Sequence, residues 1–312
     1  MILIYSTCNG GLWKCEKKSY AATCTVYGDP HVKTFDGKRY DMFGKCSYVL
    51  VDHCHYGDQP KEFEIISKNT DCQNDGLSIS CVRNILVNLT SINTRVALGS
   101  ALKDGRRLPS VIIDGKDQKF FMNKDLLVEY VSEENIYVHY RRKDMRIQWT
   151  GENIYISVSS DYQNQTCGLC GTYNFNKEDD FHTRSDATET KIVSFTESWI
   201  YSDQDVSQDT SVCHTTGWDT SESPCNVYRQ YESHATSSCA LIQDPEGPFK
   251  ACHAVVPPSD HYKICRDDYC KCQKCYCNIV SAYAKACMDK GVPIDGWRDK
   301  TEDCRTYYTF MS

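Results

Sequence analysis

Asn174, Asn176, Asp179 and Asp180 put four oxygen-bearing side chains within seven residues, just after the turn-forming Cys170-Gly171-Thr172. Calcium takes about six to eight oxygens from carboxylates, amides and carbonyls, and a short irregular loop can supply them. Asp36, far away in the chain, adds an acidic residue at a tight-turn signal, Phe35-Asp36-Gly37. A solvated turn rich in Asp and Asn has the same composition, so the residues alone leave both readings open. Burying these carboxylates together would be costly without a cation.

Gly28-Asp29-Pro30-His31 carries a second kind of chemistry. An Asp–Pro bond is weak because the Asp29 carboxyl can attack its own main-chain carbonyl carbon, and the proline nitrogen leaves more readily than an ordinary amide. A protonated His31 beside it can assist proton transfer at mildly acidic pH. The alternative is that the tetrapeptide opens a strand and stays intact.

Two Cys-x-x-Cys pairs stand at Cys167/Cys170 and Cys272/Cys275. A thioredoxin-like use needs a βαβ context, which the surrounding pattern lacks, and a zinc ribbon needs its pairs about 15–20 residues apart, not about a hundred. Each of these cysteines is therefore expected to bridge to a distant partner. Asn88-Leu89-Thr90 and Asn164-Gln165-Thr166 are acceptor tripeptides for N-glycosylation. No histidine sits in HExxH, no serine in a GxSxG elbow, and there is no glycine-rich phosphate loop, so hydrolase and nucleotide chemistry lack their residues. Asp52-His53-Cys54-His55 offers metal ligands but is expected in a surface loop after the first cysteine-bounded strand.

The chain that must position these groups has 312 residues, a formal charge of −7 and 20 cysteines. An even and abundant cysteine complement implies a disulfide framework and a secreted, extracellular protein. Interspersed acidic charge without a basic stripe argues against nucleic acid. The longest apolar stretches, such as residues 48–51, are too short to span a bilayer. Residues 1–5 are too short for a signal peptide, so an internal piece of a longer secreted protein is expected.

Cysteine spacing sets the expected organisation. Residues 1–23, with Cys8 and Cys15, are read as the tail of a preceding small cysteine-rich module. In residues 24–200, short alternating runs at 61–68, 126–131, 136–140, 145–149 and 154–158, separated by turn signals such as Asp114-Gly115, predict an antiparallel β-sandwich. Residues 201–224, rich in Ser, Thr, Asp and Gln, are read as a linker. Residues 225–304 predict a small disulfide-rich helical module, with a helix over 277–290 stopped by Gly291. Residues 305–312 begin a following segment. The fold class is α+β.

Cys24-Thr-Val-Tyr-Gly-Asp-Pro-His31, Thr34-Phe35-Asp36-Gly37, Cys46-Ser-Tyr-Val-Leu50, Cys167-Gly-Leu-Cys-Gly-Thr-Tyr-Asn174, Asp179-Asp180-Phe181, Phe195-Thr-Glu-Ser-Trp199 and Gly296-Trp297-Arg298 follow one another in the chain. In order and spacing they resemble a von Willebrand factor type D domain followed by its eight-cysteine module, over roughly residues 8–304. The resemblance implies Ca²⁺ held by Asp36, Thr172, Asn174, the carbonyl of Asn176, Asp179 and Asp180; the family usually has Asn where this chain has Thr172. It implies that Cys24, Cys46, Cys167 and Cys170 are disulfide cysteines, with disulfide exchange by the Cys167/Cys170 pair as the alternative use. It also implies that Asp29–Pro30 can cleave itself, the halves staying joined by disulfides. Eleven cysteines from Cys213 to Cys304 exceed the module's name, and the extra ones are expected to bridge back to the type D domain or belong to the linker. The function implied is an assembly or adhesion module of a large secreted glycoprotein, associating with like modules or extracellular matrix proteins rather than turning over a substrate. The alternative is a self-cleaving extracellular regulator of a growth factor or other secreted ligand.

Overall fold

The computed structural model describes the backbone of residues 2–9, 12–28, 30–42, 44–54, 60–71, 80–103, 106–202, 223–273, 275–301 and 304; side chains are described from residue 22 onward except at 106. Two compact units result, one before and one after residue 216.

The first unit is built from two antiparallel sheets. One contains β1 (Ile2–Asn9), β2 (Leu12–Tyr27), β3 (His31–Lys33), β4 (Arg39–Asp41), β11 (Phe120–Met122), β12 (Leu126–Ser132), β13 (Asn135–Tyr140), β14 (Met145–Trp149) and β15 (Ile154–Ser159). Its strands run in the order β11-β12-β13-β14-β15-β2-β3-β4, with β1 paired to β2. The other contains β5 (Ser47–His53), β6 (Glu64–Asp71), β7 (Ser80–Leu89), β8 (Thr94–Lys103), β9 (Arg106–Ile113), β10 (Lys116–Asp117) and β16 (Thr166–Cys167), in the order β10-β9-β8-β7-β6-β5-β16.

Alternation explains the sheets. In β14 the residues Met145, Ile147 and Trp149 are buried while Arg146 and Gln148 are not, and β13 repeats this with Ile136, Val138 and Tyr140. The register sets Ile136 opposite Trp149, Val138 opposite Ile147 and Tyr140 opposite Met145, so each inward residue meets another across the ladder. Each such large side chain contributes about 1.5–3 kcal/mol by leaving water. Trp149 keeps its polar atom satisfied by donating from Nε1 to the Gly99 carbonyl at 2.7 Å. Inward residues of both sheets share one hydrophobic core. A helix, α1 (Ile192–Ser198), closes the unit by stacking Phe195 on Phe181 at 4.7 Å.

β2 runs through residue 24, pairing with β1 along its first half and with β15 along its second. Several expectations are corrected here. β6 begins at Glu64 rather than at 61. Asp52 and His53 are in β5, not a surface loop; His53 is buried, stacks on Phe63, and accepts the Glu62 N–H at Nδ1. His55 lies outside the described residues.

The second unit is helical: α2 (Pro224–Val227), α3 (Glu232–Cys239), α4 (Ser259–Lys271) and α5 (Tyr276–Asp289). α5 buries Ile279, Val280, Tyr283, Ala284 and Cys287 along one face and ends before Gly291, whose φ is +80°. So little core needs covalent support. Cys225–Cys270, Cys239–Cys265, Cys252–Cys287, Cys272–Cys275 and Cys277–Cys304 supply it. All ten cysteines from 225 onward thus pair within the unit, so none of these bridges back to the sandwich; Cys213 lies outside the described residues, as do most of the expected linker and all of 305–312. The expectation of distant partners fails for Cys272 and Cys275, which pair with each other. They flank the short turn from α4 into α5, which holds their Cα atoms 5.3 Å apart, within bonding reach.

Candidate metal centre

Two segments build the carboxylate cluster. The first is the turn at 34–38. Thr34 donates its N–H to the Lys38 carbonyl at 2.9 Å and accepts the Lys38 N–H on Oγ1 at 2.8 Å, leaving Asp36 at the tip. The Phe35 N–H donates to the Cys170 carbonyl at 3.0 Å, which docks the turn on the second segment. Cys170 is itself bonded to Cys24 in β2, and Cys167 to Cys54 at the end of β5, so the two cysteines of this pair do reach distant partners. Cys46 is also disulfide-bonded.

The second segment starts at Gly171. Its φ is +75°, and a Cβ there would stand 2.1 Å from Asp180 Oδ1, so glycine is what allows Asp180 to fold back against the start of the loop. Asp36 Oδ2 accepts the N–H groups of Asn174 at 3.0 Å and Asn176 at 2.9 Å. The side-chain amides of Asn174 and Asn176 both donate to Asp179 Oδ2, at 3.0 and 2.8 Å. Asp180 Oδ2 accepts the Thr34 hydroxyl at 2.7 Å. Thr172 lines an adjoining cavity of about 450 Å³ with Asn174, Asp179, His182, Arg184 and Trp199.

The donor set fits a hard cation. Asp179 Oδ1 and Asp180 Oδ1 are both buried and accept no hydrogen bond among the described residues. A buried carboxylate oxygen without a donor is expensive, and a cation that prefers oxygen would satisfy both. Burial, and then the charges of Asp36 and Asp179, push the Asp180 carboxyl up to about 7 against the opposing pull of the Thr34 hydroxyl and Lys38. Asp52, Cys54 and Cys167 also bring one carboxylate oxygen and two sulfurs within 4.8 Å of one another, but the sulfurs are bonded to each other and offer no thiolate.

Sequence reasoning missed Thr34 and His182. Thr34 was visible as the residue opening Thr34-Phe35-Asp36-Gly37, where a hydroxyl commonly bonds the backbone of its own turn. His182 donates from Nδ1 to the Asp179 carbonyl at 2.6 Å, a contact that needs the folded loop and has no local signal.

At the Asp–Pro motif, Asp29 lies outside the described residues. His31 opens β3, is buried beside the Tyr27 ring, and donates from Nδ1 to Asp41 Oδ1 at 2.6 Å. Asn88 lies in β7 and Asn164 in the turn before β16.

Comparison with known families matches residues 24–187 to the von Willebrand factor type D domain, over half of the chain, and residues 238–305 to the C8 domain. The chain belongs to the von Willebrand factor type D domain family. Similar curated proteins include Mucin-6 of Gallus gallus, 30% identical over 98% of this chain, von Willebrand factor of Bos taurus, 29% identical over 94%, and otogelin-like protein of Mus musculus, 32% identical over 92%. The chain spans 24%, 29% and 12% of their respective lengths. None of these names denotes an enzyme. Within the type D domain the carboxylate cluster joins the two ends of the matched region, Asp36 near its start and Asp180 near its end. No helix among the described residues is long and apolar enough to cross a membrane.

Proposed function

We propose that this type D and C8 pair is a calcium-stabilised, disulfide-locked assembly or adhesion module of a large secreted, extracellular glycoprotein, associating with like modules or with extracellular matrix proteins. The observation that carries it is the cluster of Asp36, Asp179 and Asp180, with two orphaned buried oxygens, clamped to β2 through Cys24–Cys170. Asp36, Thr172, Asn174, the Asn176 carbonyl, Asp179 and Asp180 would hold the ion, which when bound neutralises the gathered carboxylates. The turn at 34–38 presents Asp36, and Gly171 gives Asp180 its room. A fixed loop gives the domain a reproducible face for a neighbouring module. Sedimentation of the oxidised chain tests this: a dimer or larger species in calcium that reverts to monomer in EDTA is expected, and a monomer in both would overturn self-association.

The His31–Asp41 contact favours a second reading, self-processing at Asp29–Pro30, whose product would be a disulfide-joined regulator binding a growth factor or other secreted ligand. A carboxylate oxygen of Asp29 bonds to its own main-chain carbonyl carbon, the carbonyl carbon–nitrogen bond to Pro30 breaks, and a proton from His31 goes to the departing nitrogen. Water then opens the cyclic anhydride. Asp41 orients the imidazole for that transfer. After an acidic hold, intact mass should show one species before reduction and two fragments after it. His31→Gln should slow scission about a hundredfold, within the usual range for a lost general acid. A single intact chain after reduction would sink this reading.

A further inference from the structure

The two acceptor tripeptides occupy opposite environments. Asn88 sits within β7, opposite Glu64 on one side and Arg95 on the other. Its Nδ2 donates to Glu64 Oε2 at 3.4 Å and its Oδ1 accepts from Arg95 Nε at 3.1 Å, so a sugar on Nδ2 would displace a cross-strand contact and crowd the sheet. Asn164 is exposed in a turn, with φ of +59°, a conformation Asn tolerates. Its N–H donates to the Tyr173 carbonyl at 2.8 Å, and its side chain makes no hydrogen bond among the described residues. A glycan there leaves every described native contact in place.

The same turn closes the acceptor once it folds. Glycan transfer requires the hydroxyl two residues after the asparagine to be read by the transferase on an accessible, extended chain. That hydroxyl belongs to Thr166, which is 0% exposed. Its Oγ1 donates to the Gly171 carbonyl at 3.3 Å and accepts the Tyr173 N–H at 2.9 Å. Thr166 begins β16, paired opposite His53 of β5, and the next residue, Cys167, is bonded to Cys54.

We infer that Asn164, rather than Asn88, carries an N-linked oligosaccharide, and that it is attached only before β16 docks and Cys54–Cys167 closes. The inference rests on the secreted reading given above. In the transfer, Asn164 Nδ2 forms a bond to the anomeric carbon of a polyprenyl-diphosphate-linked oligosaccharide. The bond from that carbon to the diphosphate oxygen breaks, the polyprenyl diphosphate leaves, and the amide proton passes to a base of the transferase. Folding then seals Thr166 while the glycan stays in solvent.

The test uses glycan-free chain prepared both oxidised and folded, and reduced and alkylated. Each is offered to purified oligosaccharyltransferase with a lipid-linked oligosaccharide donor, and peptide mass mapping reads Asn164. Modification of the reduced chain at Asn164 is expected, with the oxidised chain more than about tenfold slower, because exposing the buried Thr166 requires β16 to leave β5 while Cys54–Cys167 holds it there. Equal rates in the two forms, no modification of the reduced chain at Asn164 while a control acceptor peptide is modified, or modification at Asn88 alone would overturn it. Chain secreted from a glycosylating cell separates the two readings. Formed disulfides with a bare Asn164 would defeat the glycan assignment alone, whereas free thiols throughout would defeat the secreted reading.

Discussion

Chelating calcium from the oxidised chain is expected to lower the melting temperature of the type D unit if the carboxylate cluster holds the ion as proposed. An ion present at a hundred times its dissociation constant contributes about 2.7 kcal/mol. For a unit of this size that is about 5–10 °C in a calorimetric scan. Asp180→Asn separates this from nonspecific charge effects. Its carboxyl is pushed up to about 7 by burial and by the charges of Asp36 and Asp179. The variant should lose the calcium-dependent shift yet melt, in EDTA, no lower than the parent chain in EDTA. Superimposable scans of the parent chain with and without chelator would remove the metal from the account.

Replacing Cys24 and Cys170 together by Ala destabilises the same unit more. The bridge closes a separation of 146 residues, and loop-closure entropy puts its contribution at about 5 kcal/mol. The variant should also lose calcium dependence, since the turn bearing Asp36 docks on the Cys170 carbonyl. Cys272 and Cys275 provide the contrast. They close a separation of 3 residues, for which the same relation gives about 2 kcal/mol. Unfolding free energies from urea titration of each unit's own transition, each with its own fitted slope, compare the two. Equal shifts for both pairs would show that chain entropy does not govern these bridges.

Period-two alternation made the central strands legible, because one residue of slip would turn Met145, Ile147 and Trp149 outward. The last helix was legible from its apolar spacing and Gly291 stop, ending one residue earlier than read. Pairing of cysteines was not, because it depends on which strands become neighbours: Cys54 finds Cys167 only because β16 pairs with β5. The turn between α4 and α5 hid the Cys272–Cys275 bond for the same reason. The oxygen ligands of the loop announced themselves by composition, and the likeness to type D domains joined them to Asp36. Thr34 showed locally as a turn residue, but its bond to Asp180 spans 146 residues; the His182 contact to the Asp179 carbonyl spans only 3, yet forms only when the loop takes its folded shape.

The continuity of β2 through Cys24 bears on how the domain behaves under tension. A pull at the start of β2 loads the ladder to β15 in shear, but only as far as Cys24, where the load crosses the sulfur–sulfur bond to Cys170. The 146-residue separation spanned by that bond, roughly 500 Å of chain if extended, stays out of the line of force. Scission between Asp29 and Pro30 would fall inside this shielded loop, so a chain cut there would still transmit tension from one end of the domain to the other. Under load the unit therefore acts as a short, stiff link whose hidden length is released only by reduction.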